Sequence, residues 1–136
     1  MTDMLPSAGI AIRVDVSPEH FVRGHRQDLD EMLGNLLDNA CKWTRSQVII
    51  ASTQPDGRIA ITVDDDGPGL EPRMREAVLQ RGVRADEQSP GSGLGLSIVR
   101  DLADIYGGAV SLEDAPAGGL RAVLELPAAE RGNRSA

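Results

Sequence analysis

Arg58-Ile59-Ala60-Ile61-Thr62-Val63-Asp64-Asp65-Asp66-Gly67-Pro68-Gly69 is the stretch that decides how this 136-residue chain folds. Arg58 to Val63 reads as a strand, and Val48-Ile49-Ile50-Ala51 upstream reads as another. Pro55-Asp56-Gly57 between them is a turn signal, so the two form a hairpin. The second strand runs straight into Asp64 to Gly69, an acidic, glycine-rich loop.

Working outward toward the N-terminus, Asp28 to Trp43 predicts a helix. Leu29, Met32, Leu33, Leu36, Leu37 and Ala40 recur at helical spacing and make one apolar stripe, with Gln27 or Asp28 available as a cap. Ile10 to Val16 alternates, is β-branched and ends at Ser17-Pro18, so it reads as a strand. His20 to Gly24 reads as a short second strand, and residues 1–9 as a flexible leader. Toward the C-terminus, Glu71 to Leu79 predicts a short helix with Pro72 in its first turn, where a missing N–H costs little. Arg84 to Ser92 is polar and expected to be mobile. Gly93 to Tyr106 predicts a second long helix, closed by Gly107-Gly108. Ala109 to Glu113 and Leu120 to Leu126 read as strands joined at Gly118-Gly119, and residues 128–136 as a disordered tail.

Strands and helices are mixed without simple alternation. The expected fold is therefore an α+β two-layer sandwich spanning residues 10–127. Its sheet is mixed but largely antiparallel, with about five strands, covered on one face by about three helices.

Composition narrows the function. There is one Phe, one Trp and one Tyr, so the core must be built from Val, Ile, Leu and Ala. The net charge of -7 disfavours nucleic-acid backbones and anionic membranes, although a local set of N–H groups and a metal could still hold a small polyanion. One cysteine, Cys41, cannot form an internal disulfide, and two distant histidines offer it no zinc partner. A reducing compartment is the natural reading. No apolar run approaches the length of a membrane span.

Three segments carry chemistry. In Asn35-Leu36-Leu37-Asp38-Asn39-Ala40-Cys41-Lys42-Trp43, Asn35 and Asn39 share a helix face with Lys42, off the leucine stripe. Amide oxygens suit Mg²⁺; alone, the segment also reads as a solvated polar face. In Asp64 to Gly69, glycines admit a flat ligand, and a carboxylate at a strand end could accept a hydrogen bond from an exocyclic amine such as that of adenine. An acidic turn is the plainer alternative, and the spacing of a calcium loop is absent. Gly91-Ser92-Gly93-Leu94-Gly95-Leu96 opens a helix, where free N–H groups and the dipole favour phosphate. It lacks the Gly-Lys-Ser/Thr ending of a Walker A loop, and a glycine-rich entry for close packing is common.

In this order and spacing, the three segments resemble the GHKL ATPase superfamily, specifically the ATP-binding catalytic domain of sensor histidine kinases. Asn35 to Trp43 is similar to its N box, Asp65 to Gly69 to its G1 box and Gly91 to Leu96 to its G2 box. Gly118-Gly119 is similar to the closing glycine box. The resemblance covers Ile10 to Leu126, and the wording looks most like the PhoQ-like branch.

The resemblance implies the Bergerat fold, with ATP and Mg²⁺ as ligands. It implies that Asp65 reads the adenine amino group, with Gly67 and Gly69 beside it. Asn39 would bind Mg²⁺ with Asn35 in support, Lys42 would touch phosphate, and Trp43 would lie on the adenine; core packing is its plainer alternative, and one Trp could do both. Gly91, Gly93 and Gly95, with Leu94 and Leu96, would meet the phosphates through backbone amides. Arg84 to Pro90 matches an ATP lid, and Asn39, Lys42 and Arg84 would act on the transferred phosphate.

Two departures stand out. Leu79 replaces the Phe that usually anchors the lid, leaving Val78 and Leu79 to hold it less firmly. Ser89 replaces a basic residue before the lid proline, so Arg81 or Arg84 must supply that charge.

The acceptor histidine of this family sits on a helical dimerisation domain, in a sequence context that neither His20 nor His25 has. The chain is thus expected to bind Mg-ATP without labelling itself, to be monomeric as an isolated domain, and to serve a homodimeric kinase that signals to a response regulator. The resemblance implies a cytoplasmic location, as part of an inner-membrane sensor. The alternatives are a stand-alone serine kinase of the anti-sigma-factor type and a degenerate nucleotide-binding docking module. A gyrase- or chaperone-type motor would need a catalytic Glu where Asn35 stands.

Overall fold

The computed structural model describes residues 2–7, 10–22, 24–79, 94–116 and 118–129. The expected lid, with Arg81, Arg84, Ser89, Gly91 and Gly93, and residues 130–136 of the expected tail lie outside the described residues. The described elements are β1 (Thr2–Ser7), β2 (Ile10–Asp15), α1 (Arg26–Trp43), β3 (Gln47–Thr53), β4 (Arg58–Asp65), α2 (Pro72–Leu79), α3 (Leu94–Ile105), β5 (Ala109–Asp114) and β6 (Leu120–Pro127).

The strands form one sheet in the order β1-β2-β3-β4-β6-β5. Among the described strands, only β2 and β3 pair in parallel. Parallel neighbours need a crossover, and α1 supplies it. The hairpin read from Val48 to Val63 is present: β3 and β4 pair antiparallel, with Ile50 opposite Val63, around a turn in which Asp56 and Gly57 both take positive φ. The mixed, largely antiparallel sheet and three helices agree with the sequence expectation.

Four details differ from it. Thr2–Ser7, read as part of a flexible leader, pairs along the whole of β2 from Thr2↔Asp15 to Ser7↔Ile10, so the sheet has six strands among the described residues. An exposed strand edge is a template for any segment that can pair with it, and an edge strand tolerates a proline such as Pro6. The described residues of His20 to Gly24 form no strand: they contribute the isolated bridge Val22↔Ala128, and the His20 ring lies 2.8 Å from Ser52 Oγ. Helix α1 starts at Arg26 with His25 at the N-cap, so Gln27 and Asp28 lie inside its first turn rather than capping it. Ala128 and Ala129, assigned to the tail, are bonded through their N–H groups to Gly57 O and Phe21 O.

One face of the sheet makes the core. Strand side chains alternate, so Ile59, Ile61, Val63 and Asp65 of β4 face the helices while Arg58, Thr62 and Asp64 face away. Met32, Leu36 and Ala40 of α1 and Leu96, Val99 and Ala103 of α3 close over that inner face. Each large aliphatic buried there contributes about 1.5–3 kcal/mol. On the outer face, Asp64 accepts a two-pronged ion pair from Arg121 of β6, at 2.7 and 2.8 Å. This arrangement brings the end of β4, the C-terminal half of α1 and the start of α3 to one end of the sandwich.

Candidate functional site

The three aspartates at the end of β4 have three different environments. Asp64 points outward to Arg121. Asp65 points inward and is only 3% exposed. Its Oδ1 accepts N–H bonds from Gly67 at 2.9 Å and Leu120 at 3.2 Å. Its Oδ2 has no partner among the described residues. A buried carboxylate oxygen without a donor is costly unless a ligand supplies one. Asp66 lies just past the strand and turns back toward the segment after α1: Oδ1 accepts from the Thr44 hydroxyl at 2.6 Å and from the N–H groups of Arg45, Ser46 and Gln47 at 2.8, 3.1 and 3.4 Å. The Ser46 hydroxyl donates to Oδ2 at 2.6 Å. These bonds, the Ser46 hydroxyl first and then that of Thr44, hold the Asp66 carboxyl well below the usual carboxylate range.

Glycines make the room around Asp65. A Cβ on Gly67 would lie 2.2 Å from the Trp43 carbonyl oxygen, and one on Gly119 would lie 2.2 Å from Asp65 Oδ1. Gly69 has φ +80°, a left-handed conformation that suits glycine. The Gly118-Gly119 turn between β5 and β6 thus closes directly onto Asp65, and the N–H of Leu120 beyond it locks one carboxylate oxygen.

On α1, Asn35 donates to Glu31 O at 2.9 Å, and its Oδ1 faces α3, where a Cβ on Gly95 would come within 3.1 Å. Asn39, one turn on, is half-buried with no side-chain partner among the described residues. Lys42 Nζ lies 5.5 Å from the centre of the Trp43 ring. Trp43 is 53% exposed, so it is not a buried core residue. At the start of α3, Leu94, Gly95 and Leu96 occupy the first turn, whose N–H groups have no partner within a helix. Gly95 and Leu96 are buried, and the Leu96 side chain belongs to the core.

The described residues thus bring together Asn35, Asn39, Lys42, Trp43, Asp65, Gly67, Gly69, Leu94, Gly95 and Leu96. Arg84, Gly91 and Gly93 lie outside them. Sequence reasoning assigned nothing to Thr44, to Asp66 or to the Leu120 N–H. Three consecutive aspartates look alike in sequence, and a backbone N–H carries no residue signature at all. No group of three or more His, Cys, Asp or Glu suited to a metal occurs among the described residues, so any metal here would depend on amide oxygens and on the ligand's own oxygens.

The profile of the family described as histidine kinase-, DNA gyrase B-, and HSP90-like ATPase matches residues 24–130. The chain belongs to this ATPase family. Within it, the similarity lies with sensor kinases. The sensor protein kinase CarS of Pseudomonas aeruginosa is 58% identical over 107 residues, covering 79% of this chain and 24% of that protein. The virulence sensor histidine kinase PhoQ of Salmonella typhimurium is 42% identical over 113 residues, covering 83% of this chain and 23% of that one. The chain therefore spans about a quarter of the length of these curated relatives.

Among solved structures, the mycobacterial sensor histidine kinase MprB superposes with a TM-score of 0.79 at 34% identity, over 90% of this chain and 85% of that one. Full-length ShkA in complex with AMPPNP superposes with a TM-score of 0.78 at 34% identity, over 90% of this chain and 26% of that one. The fold and family expected from the three glycine- and asparagine-bearing segments are those observed: this is a histidine-kinase-type ATPase catalytic domain. Among the described residues, no helix is long and apolar enough to cross a membrane.

Proposed function

We propose that this domain binds Mg²⁺-ATP and delivers the γ-phosphoryl group to a histidine on a separate helical dimerisation domain of the same kinase. The observation that carries the reading is Asp65: buried, with one carboxylate oxygen locked by Gly67 and Leu120 and the other without a donor among the described residues. The adenine 6-amino group is such a donor. Gly67 lets the Trp43 backbone close against the Asp65 loop, where any side chain would strike the Trp43 carbonyl. The exposed indole of Trp43 offers a flat face beside it, and Lys42 lies near enough to swing toward phosphate.

The donor set fits a hard cation. Asn39, whose amide has no partner among the described residues, would hold Mg²⁺ from the protein side, and Asn35 would orient the same helix face. Bound there, Mg²⁺ would neutralise phosphate charge. The first-turn amides of α3 point a helix dipole at the same region. Arg84, Gly91 and Gly93 take the lid and phosphate roles that the family pattern implies. Phosphoryl transfer depends on positioning and charge more than on covalent help from the protein, and no residue of this chain is assigned as general base. The acceptor histidine, the homodimer built around it, the response regulator downstream and a cytoplasmic location at an inner-membrane sensor belong to the same proposal, as does a monomeric state for the isolated domain.

The test is calorimetric titration with a non-hydrolysable ATP analogue and Mg²⁺, on this chain and on Asp65→Asn. Binding by the chain that disappears in the variant supports an adenine-reading pocket. Absence of binding to either protein overturns it in favour of a docking module.

A further inference from the structure

We propose that Asp66 is a positioning residue for the adenine end of the site: its carboxylate holds the Thr44–Gln47 turn, and through it Trp43, against the wall formed by Asp65 and Gly67. This rests on the nucleotide reading above and deepens it.

Trp43 needs an outside anchor. Trp43 is 53% exposed, and beside its ring, 5.5 Å from the centre, lies the ammonium of the exposed Lys42. No core packing fixes it, so its place is set by the backbone on either side. Behind it is α1, which ends with Thr44 N–H donating to Ala40 O. Ahead of it is the turn from Thr44 to Gln47, and this turn is organised around the Asp66 carboxylate. Three successive backbone N–H groups, from Arg45, Ser46 and Gln47, converge on Oδ1, and two hydroxyls complete the set. Hydrogen bonds to an ionised carboxylate are stronger than neutral ones.

The tie is also short in sequence. Asp66 lies directly between Asp65 and Gly67, and the space a Cβ would need at Gly67 is occupied by the Trp43 carbonyl oxygen. Moving the turn therefore moves Trp43 relative to the base-reading carboxylate. Asp65 selects the base; Asp66 sets the wall opposite it.

The experiment uses the full chain, because Trp43 is its one tryptophan and reports its own placement. Wild type, Asp66→Ala and Asp66→Asn are compared by calorimetric titration with Mg-ADP and by acrylamide quenching of Trp43 without nucleotide. Asp66→Ala is expected to weaken Mg-ADP about tenfold and to raise the quenching of Trp43. Asp66→Asn keeps an oxygen for the Oδ1 donors and should recover most of both. A folded Asp66→Ala protein with wild-type affinity or unchanged quenching overturns the proposal, as does an Asn variant that rescues neither. If Asp66→Ala does not fold, Ser46→Ala decides: it removes one hydroxyl donor, and about threefold weaker Mg-ADP binding with raised quenching supports the proposal. No change in Ser46→Ala overturns it. A wild type that binds no Mg-ADP removes the nucleotide reading itself, whereas a binding wild type with unaffected variants removes only the part given to Asp66.

Discussion

Helices α1 and α3 lie side by side, and their two ends are built on opposite principles. At the far end, from the start of α1 to the close of α3, polar groups meet polar groups. The Tyr106 hydroxyl donates to Asp28 and accepts the His25 N–H, and the Tyr106 ring packs over Gly24. At the near end, polar groups are left open. Among the described residues, Gly95 makes space beside Asn35, Asn39 has no side-chain partner, and Asp65 keeps one buried oxygen unpaired. A folded chain rarely leaves such groups unmet for stability alone. The closed end holds the helices together, and the open end is available to a ligand.

That contrast can be broken in stages. The largest effect is expected from Gly119→Ala. Its Cβ would fall 2.2 Å from Asp65 Oδ1 and 2.4 Å from the Asp65 carbonyl, so the β5–β6 turn must shift. Overpacking of this kind costs about 1–3 kcal/mol. Thermal unfolding should show that loss, and titration should show nucleotide affinity falling with it. Asp65→Asn comes next and separates the two quantities. Its amide oxygen can still accept from Gly67 and Leu120, which leaves an NH₂ donor facing the adenine amino donor. Affinity should fall about a hundredfold while the melting temperature changes little.

Tyr106→Phe tests the closed end. It removes the hydroxyl that bonds Asp28 and should lower the melting temperature with nucleotide affinity unchanged, in the same two assays. A loss of affinity there would show that the two ends are coupled.

The smallest effect is on pH dependence. Because folding lowers the Asp66 pKa, its carboxylate stabilises the fold fully above the ordinary aspartate value of about 3.9. That contribution is lost as pH falls below 3.9 through the still lower folded value. Acid unfolding followed by circular dichroism should therefore be steeper in wild type than in Asp66→Asn, with the two curves parallel above neutral pH.

Much of this architecture is legible before any coordinates. The leucine stripe of α1, the Pro55-Asp56-Gly57 turn and the alternation of β4 are local patterns with local causes. The positions near Asn35, Asn39, Asp65 and Gly95 could be named because the three segments, in their order and spacing, resemble the ATP-binding domain of sensor histidine kinases; taken singly, each reads equally well as a polar face, an acidic turn or a glycine-rich helix entry. Thr2–Ser7 was misread because its pairing partner, β2, makes it a strand, and nothing inside the segment announces that. The bonds of Ala128 and Ala129 were missed for the same reason, since their partners are Gly57 and Phe21.

The residues alone determined the order of the helices and of the strands from β2 onward, apart from the strand expected at His20 to Gly24, and the chemical types available to a nucleotide: amide, carboxylate, cation and backbone N–H. The division of labour among Asp64, Asp65 and Asp66 was decided only by tertiary structure. Side-chain alternation turns the first toward Arg121 and the second toward the helices, and the end of the strand frees the third to reach the turn after α1. Their chemistry is identical. What differs is which donors the rest of the fold brings within about 3 Å of each carboxylate, the range over which a hydrogen bond forms.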